Sequence, residues 1–266
     1  PPPIDPRQVD AILLTHAHLD HTGYLPVLVK AGFSGPVFCT APTRELTQVI
    51  LLDSGKIQEE DAERANRDGY SKHKPALPLY GVDEAKRALN LLKVIERDKW
   101  LDLGNGVEAR FTNSGHILGS CFIQIRTPDM TIVFSGDLGR SDPLILNPPE
   151  VLKEADFVVI ESTYGDRLHS PLSPLKELGA IVNETVERKG HLIIPSFAVG
   201  RTQDVLFLLS QLKRQSQIPQ IPIFLDTPMG INATEIFGNY PEWHRLSSEE
   251  ARDLCKSVTL VQSAQQ

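Results

Sequence analysis

The run His16-Ala17-His18-Leu19-Asp20-His21 gathers imidazoles and a carboxylate within a few consecutive positions. Imidazole nitrogen and carboxylate oxygen are the donors that a zinc-like cation takes in a near-tetrahedral shell. His16 and His18 alternate about an extended turn and can converge on one cation. Asp20 and His21, adjacent in sequence, can turn toward a second cation a few ångströms away. The run follows an apolar stretch at residues 9–14 that reads as a short buried strand ending at Thr15. A strand end is a rigid place from which to hand ligands to a turn, which a merely solvated histidine-rich loop would not need.

One motif cannot close two shells, so further donors must arrive from other strand ends. Asn113-Ser114-Gly115-His116-Ile117-Leu118-Gly119-Ser120 is a polar, glycine-rich loop between two predicted strands, with His116 at its centre. Phe134-Ser135-Gly136-Asp137-Leu138-Gly139 places Asp137 just after a strand of β-branched and aromatic residues. An Asp in such a turn is ordinarily a turn former; at a strand end beside a metal it is placed as a bridging carboxylate. Ser196 and Arg201 lie before and at the start of a predicted helix. Helix N-terminal amides plus a guanidinium make a phosphate site, unless Arg201 only pairs with a nearby carboxylate. His73, in a polar loop, reads as solvated. His191, opening a predicted buried strand, reads as structural.

The elements that must position these residues alternate. Residues 9–14 and 37–39 read as strands, and 23–31 as a short helix despite Pro26. A longer helix starts behind Thr43 as N-cap, with Leu46, Val49 and Ile50 at helical spacing. Residues 83–92 repeat the helical pattern behind an Asp83 cap. An antiparallel block follows at 101–103, 106–111, 121–126 and 131–134, punctuated by turns such as Gly104-Asn105-Gly106. Residues 157–160 read as a buried strand. From Ser173 the pattern becomes plain α/β alternation: a helix to about residue 188, a strand at 192–194, a helix at 199–212, a strand at 221–225 and a helix at 231–237. That change of grammar puts a domain boundary just after Tyr164.

The 266 residues carry 27 Lys and Arg against 34 Asp and Glu, a formal charge of −7. Such a chain does not grip nucleic acid by bulk positive field. A nuclease stays open, because bound divalent cations and a few local basic side chains can supply the potential. Cys39, Cys121 and Cys255 are an odd number without close spacing. They read as buried free thiols of a reducing compartment. The apolar runs are too short for a membrane span, and no signal peptide is recognisable; the chain reads as cytoplasmic, with no membrane partner.

The order His16-x-His18-x-Asp20-His21, then His116, then Asp137 resembles the metallo-β-lactamase fold, an αββα sandwich with a binuclear metal site along one edge. Glu161-Ser162-Thr163-Tyr164-Gly165-Asp166-Arg167-Leu168-His169 resembles the first acidic motif of its β-CASP branch. Ile194-Pro195-Ser196-Phe197-Ala198-Val199-Gly200-Arg201-Thr202-Gln203 and Leu225-Asp226-Thr227-Pro228-Met229 are similar to stretches of that branch's cap domain. The branch contains RNA-processing nucleases, RNase J and the pre-mRNA cleavage endonuclease among them. The resemblance implies an α/β chain with a partial metallo-β-lactamase core at residues 1–164 and part of a β-CASP cap at 165–266. It implies two zinc ions, one held by His16, His18 and His116, the other by Asp20 and His21, with Asp137 bridging. A bridging hydroxide would attack phosphorus in line, and Asp20 would receive its proton. Glu161 would orient a catalytic His from further downstream rather than bind metal. His169 takes a role beside the metals or toward substrate.

The expected substrate is single-stranded RNA, and a homo-oligomer is compatible with the sequence. Rival readings are a small-ester or thioester hydrolase, a DNA nuclease of the same fold, and a non-catalytic scaffold subunit. The two cap-like stretches argue against the small-ester reading, since such enzymes have no use for a cap there. The family's early strand Asp should precede residue 9, and its two later His motifs should lie well beyond Asp226. His244 has neither the spacing nor the strand-end setting for either role. The chain is therefore expected to be an internal fragment, poorly active alone.

Overall fold

The computed structural model describes residues 4–168, 170–256 and 258–260, in two units. The first comprises Pro1–Ser141 and Pro148–Ile160, the second Asp142–Asn147 and Glu161–Gln266. Both mix helices and strands. Among the described residues no helix is long and apolar enough to cross a membrane.

In the first unit, β1 (Ile12–Leu13) leads into the short α1 (Leu19–Thr22) and α2 (Leu25–Lys30). Then come β2 (Val37–Cys39), α3 (Ala41–Asp68), α4 (Val82–Leu89) and β3 (Leu92–Val94). The three strands run parallel, with Ile12 opposite Val37 and Val37 opposite Leu92. Leu14, Leu25, Phe33, Val37, Cys39, Ala88 and Leu92 form the core that β1–β3 share with α2 and α4. The run at 9–14 yields only a two-residue ladder, although Leu14 continues it by donating its amide to the Phe38 carbonyl.

Helix α3 begins three residues earlier than expected. Thr40, not Thr43, is the N-cap, its hydroxyl accepting from the Thr43 amide. Pro42 thus falls in the first turn, where no intrahelical bond needs its missing N–H. Gly81 replaces Asp83 as the cap of α4, and the Glu84 carboxylate accepts from the Gly81 amide at 2.9 Å. The helix stops at Leu89 because Leu92 joins β3.

The second sheet contains β4 (Trp100–Gly104), β5 (Val107–Asn113), β6 (Cys121–Arg126), β7 (Thr131–Phe134) and β8 (Phe157–Val159) in that order. The first four are antiparallel, and β8 joins β7 in parallel with Ile132 opposite Phe157. β8 is not buried as expected: Phe157 is 58% and Val159 55% exposed, on an edge strand.

The second unit holds α5 (Pro174–Glu187), α6 (Arg201–Arg214), β9 (Phe224–Leu225), α7 (Pro228–Asn239), α8 (Ser248–Lys256) and β10 (Thr259–Leu260). β9 and β10 pair in parallel. Val182, Leu209, Leu212 and Ile218 form its core between α5 and α6. The strand expected at 192–194 is irregular and makes no ladder, and Ile193 is 84% exposed. His191 there is exposed, not structural.

Candidate metal centre

The side chains that could hold a metal ion are delivered by three strand ends of the first unit. After β1 the backbone turns at His18, which precedes α1. Buried Thr22 fastens that turn by reaching back to the Ala17 and His18 carbonyls at 3.2 and 3.0 Å. The Thr15 carbonyl accepts the Cys121 amide at 2.8 Å, tying the end of β1 to the start of β6. Gly136, after β7, takes a left-handed φ of 52°, and a Cβ there would lie 2.7 Å from the Thr15 Cβ. Only glycine lets the strand end carrying Asp137 approach Thr15 so closely.

One donor atom from each of His16, His18, His116 and Asp137 lies within 4.8 Å of all the others. His18 Nδ1 is 3.2 Å from His16 Nε2 and 3.1 Å from His116 Nε2. Oδ2 of Asp137 is 3.4 Å from His116 Nε2 and 3.7 Å from His16 Nε2. Zinc–imidazole bonds of about 2.0–2.1 Å in a tetrahedron separate ligand atoms by about 3.3 Å, so the group has the dimensions of one shell. The other oxygen of Asp137, Oδ1, lies 3.2 Å from His21 Nε2, and that nitrogen is 3.6 Å from Asp20 Oδ2. The carboxylate therefore faces two histidine groups, one through each oxygen.

His16 is wholly buried. Burial, and then the neighbouring His21, His18 and His116, push its pKa down to about 2. It is thus neutral at physiological pH, the state that binds a cation. Its Nδ1 sits 3.0 Å from the Thr15 hydroxyl. That contact suits the tautomer with Nδ1–H as donor and the Nε2 lone pair turned to the site. Cys39 and Cys121 border the same strand ends but offer no thiolate. Burial raises the pKa of Cys39 to about 12 and that of Cys121 higher still.

The sequence profile of the metallo-beta-lactamase superfamily matches residues 3–178. The chain belongs to that superfamily. Within the metallo-beta-lactamase match lie all six clustered His and Asp residues, and the profile of the Beta-Casp domain matches residues 202–266. Similar curated proteins are "Ribonuclease TTHA0252" of Thermus thermophilus, 37% identical over 93% of this chain and 52% of the relative, and "Transcription termination factor FttA" of Methanosarcina mazei, 32% identical over 89% of this chain and 36% of the relative. "Endoribonuclease YSH1" of Candida glabrata is 30% identical over 87% of this chain and 30% of the relative. The chain spans about half or less of the length of these relatives.

The other expected site residues of this metallo-beta-lactamase chain fall in its second unit. Glu161 is half-buried at the start of the unit. Ser196 is exposed on the irregular segment before α6. Arg201, the first residue of α6, is 3.7 Å from Asp204 one turn on. Two amides at that helix start are already engaged: Gly200 donates to the Gln203 side chain at 2.7 Å and Thr202 to the Phe197 carbonyl at 3.2 Å. His169 lies outside the described residues. His244 is buried within the second unit, stacked on Phe237 with ring centroids 4.4 Å apart. Sequence reasoning passed over the hydroxyls of Thr15, Thr22, Thr40, Thr43 and Ser120, which hold the donors from behind. Thr15, Thr22 and Ser120 adjoin the ligand motifs in sequence, which was the available signal; Thr40 and Thr43 lie beside none of them.

Proposed function

We propose that the protein is a zinc-dependent phosphodiester hydrolase acting on single-stranded RNA. The observation that carries this reading is Asp137, whose Oδ2 faces His16 and His116 while Oδ1 faces His21. A carboxylate so placed could serve two cations, with His16, His18 and His116 the residues that would hold one and His21 and Asp20 those that would hold the other. Two such cations, when bound, polarise the phosphoryl oxygens and supply a nucleophile at neutral pH. The chain's residues do the rest. Asp20, exposed at the rim, accepts the proton of the attacking water on a carboxylate oxygen and releases it to solvent. Glu161 orients an imidazole and does not bind metal. Ser196, Arg201 and His169 contact the RNA backbone. Residues 1–164 carry the chemistry and 165–266 the substrate cap, in a cytoplasmic protein.

RNA as substrate is supported by relatives named as a ribonuclease and an endoribonuclease, and by the Beta-Casp match, for which a small-ester hydrolase has no use. The test pairs metal analysis with cleavage. Protein dialysed against trace metals should retain two zinc ions per chain. Expressed from the complete coding sequence, it should also cut a labelled single-stranded RNA in preference to the matching DNA. Iron in place of zinc, or cleavage restricted to DNA, would overturn the assignment.

A further inference from the structure

His116 sits on a loop that has no strand or helix of its own, yet its imidazole must be held within a few tenths of an ångström to share a shell with His16 and His18. The loop first closes on itself. Ser120 Oγ accepts the amides of His116 and Ile117 at 3.0 and 3.2 Å. The Ser120 amide donates to the Ile117 carbonyl at 3.0 Å, and Ser114 donates to the Ser120 carbonyl at 3.1 Å. This makes a rigid knot, but one that could still rock as a body.

What stops it is the first turn of α3. The Gly119 carbonyl accepts from Thr40 Oγ1 at 2.8 Å and from Thr43 Oγ1 at 3.0 Å, filling both of its lone pairs. Both threonines are almost completely buried. Gly119 has a left-handed φ of 81°, and a Cβ on it would lie 2.8 Å from the Thr43 amide nitrogen and from Pro42 Cβ. The loop is therefore pressed directly onto the helix start. The bonds also span a large sequence separation: Thr40 and Thr43 precede Gly119 by 79 and 76 positions.

We propose that Thr43, with Thr40 beside it, is a positioning residue for the metal centre, acting through the Gly119 carbonyl to fix the His116 imidazole. The two threonines divide the work. Thr40 also caps α3, so its loss weakens the helix whatever it does to the loop. Thr43 is not the cap residue; its hydroxyl donates to the Gly119 carbonyl and lies 2.9 Å from the Thr40 hydroxyl. Groups hydrogen-bonded directly to a ligand commonly change metal affinity by about 10–100-fold when removed, which sets the scale for Thr43 acting one bond further back through Gly119.

This inference rests on the reading of His116 as a ligand, and the test separates the two. Cobalt(II) is titrated into the metal-free chain, following its visible d–d bands, for the native protein, His116→Ala, Thr43→Val and Thr43→Ser. Circular dichroism confirms that each variant is folded at the working temperature. Thr43→Val is expected to bind cobalt about 10–100-fold more weakly with displaced bands, while Thr43→Ser, which keeps the hydroxyl, restores both. Native affinity and bands in Thr43→Val would overturn the proposal even if that variant melts earlier, since a purely structural threonine would lower stability alone. Native binding by His116→Ala would instead overturn the metal reading beneath it. Should Thr43→Val not fold, Thr43→Ala against Thr43→Ser makes the same comparison: weaker binding in Ala alone supports the clamp, and equal binding sinks it.

Discussion

The two oxygens of Asp137 look toward different histidines, and that sets how single substitutions propagate. His16→Ala removes a donor from the group around Oδ2 only, so one zinc-binding event should weaken and the other persist. Asp137→Ala should weaken both, and a zinc titration by calorimetry distinguishes one lost event from two. Proton linkage gives a second expectation. His16 stays neutral in the fold down to about pH 2, against an ordinary value of 6.5. Between those values the unfolded chain binds the extra proton, so this contribution to stability is complete above about pH 6.5 and is lost as pH falls. Burial also lowers the His244 pKa, which acts in the same direction. Urea midpoints of the metal-free chain should drop steadily on acidification from about pH 7 to about pH 4; a flat profile would contradict a buried neutral His16. The His and Asp residues that gather here were legible from type and order, because few side chains can serve as donors. The threonines behind them were not: a Thr ahead of a helix looks the same whether it caps that helix or holds a distant carbonyl.

Elements were legible where local pattern decides them and illegible where a partner does. The meander β4–β7 follows its alternation and turn residues closely. The caps of α3 and α4 moved because a proline and a glutamate competed with the nearest Thr and Asp. The segment at 192–194 has a strand's composition, but composition supplies no neighbour to pair with, and none is present among the described residues. β8 has a neighbour on one side only, and Phe157, Val158 and Val159 are all exposed. An apolar edge of this kind invites pairing with another chain. Val158→Lys should therefore reduce self-association of the chain at equal concentration, measured by sedimentation velocity, without loss of helical signal. Unchanged association would move the contact elsewhere.

For the molecule as a whole, a charge of −7 means that the proposed RNA substrate would have to be held by few, local contacts rather than by a broad positive field. Arg201→Ala should weaken binding to single-stranded RNA and lower the slope of affinity against salt by about one phosphate contact. An unchanged slope would return Arg201 to its pairing with Asp204. The broad class, α/β with a candidate metal centre in the first unit, was readable from the order of a handful of motifs. The exposure of β8 and of residues 192–197 was not, since it depends on what each segment meets in space.

Cys39 closes β2 just before Thr40, and Cys121 opens β6 just after Ser120. Both are buried and protonated at neutral pH, so at these two positions an alkylating reagent meets no thiolate while the fold is closed. They become modified only when the strands around them part, which turns the rate of alkylation into a clock for opening of the first unit. A cation held by His16, His18, His116 and Asp137, at the ends of β1, β5 and β7 in the same unit, would be released on opening, so zinc should slow the clock in proportion to its occupancy. Peptide mass spectrometry at the two cysteines, with and without zinc, reads that rate directly; equal rates would mean the strand ends part without letting go of the ion.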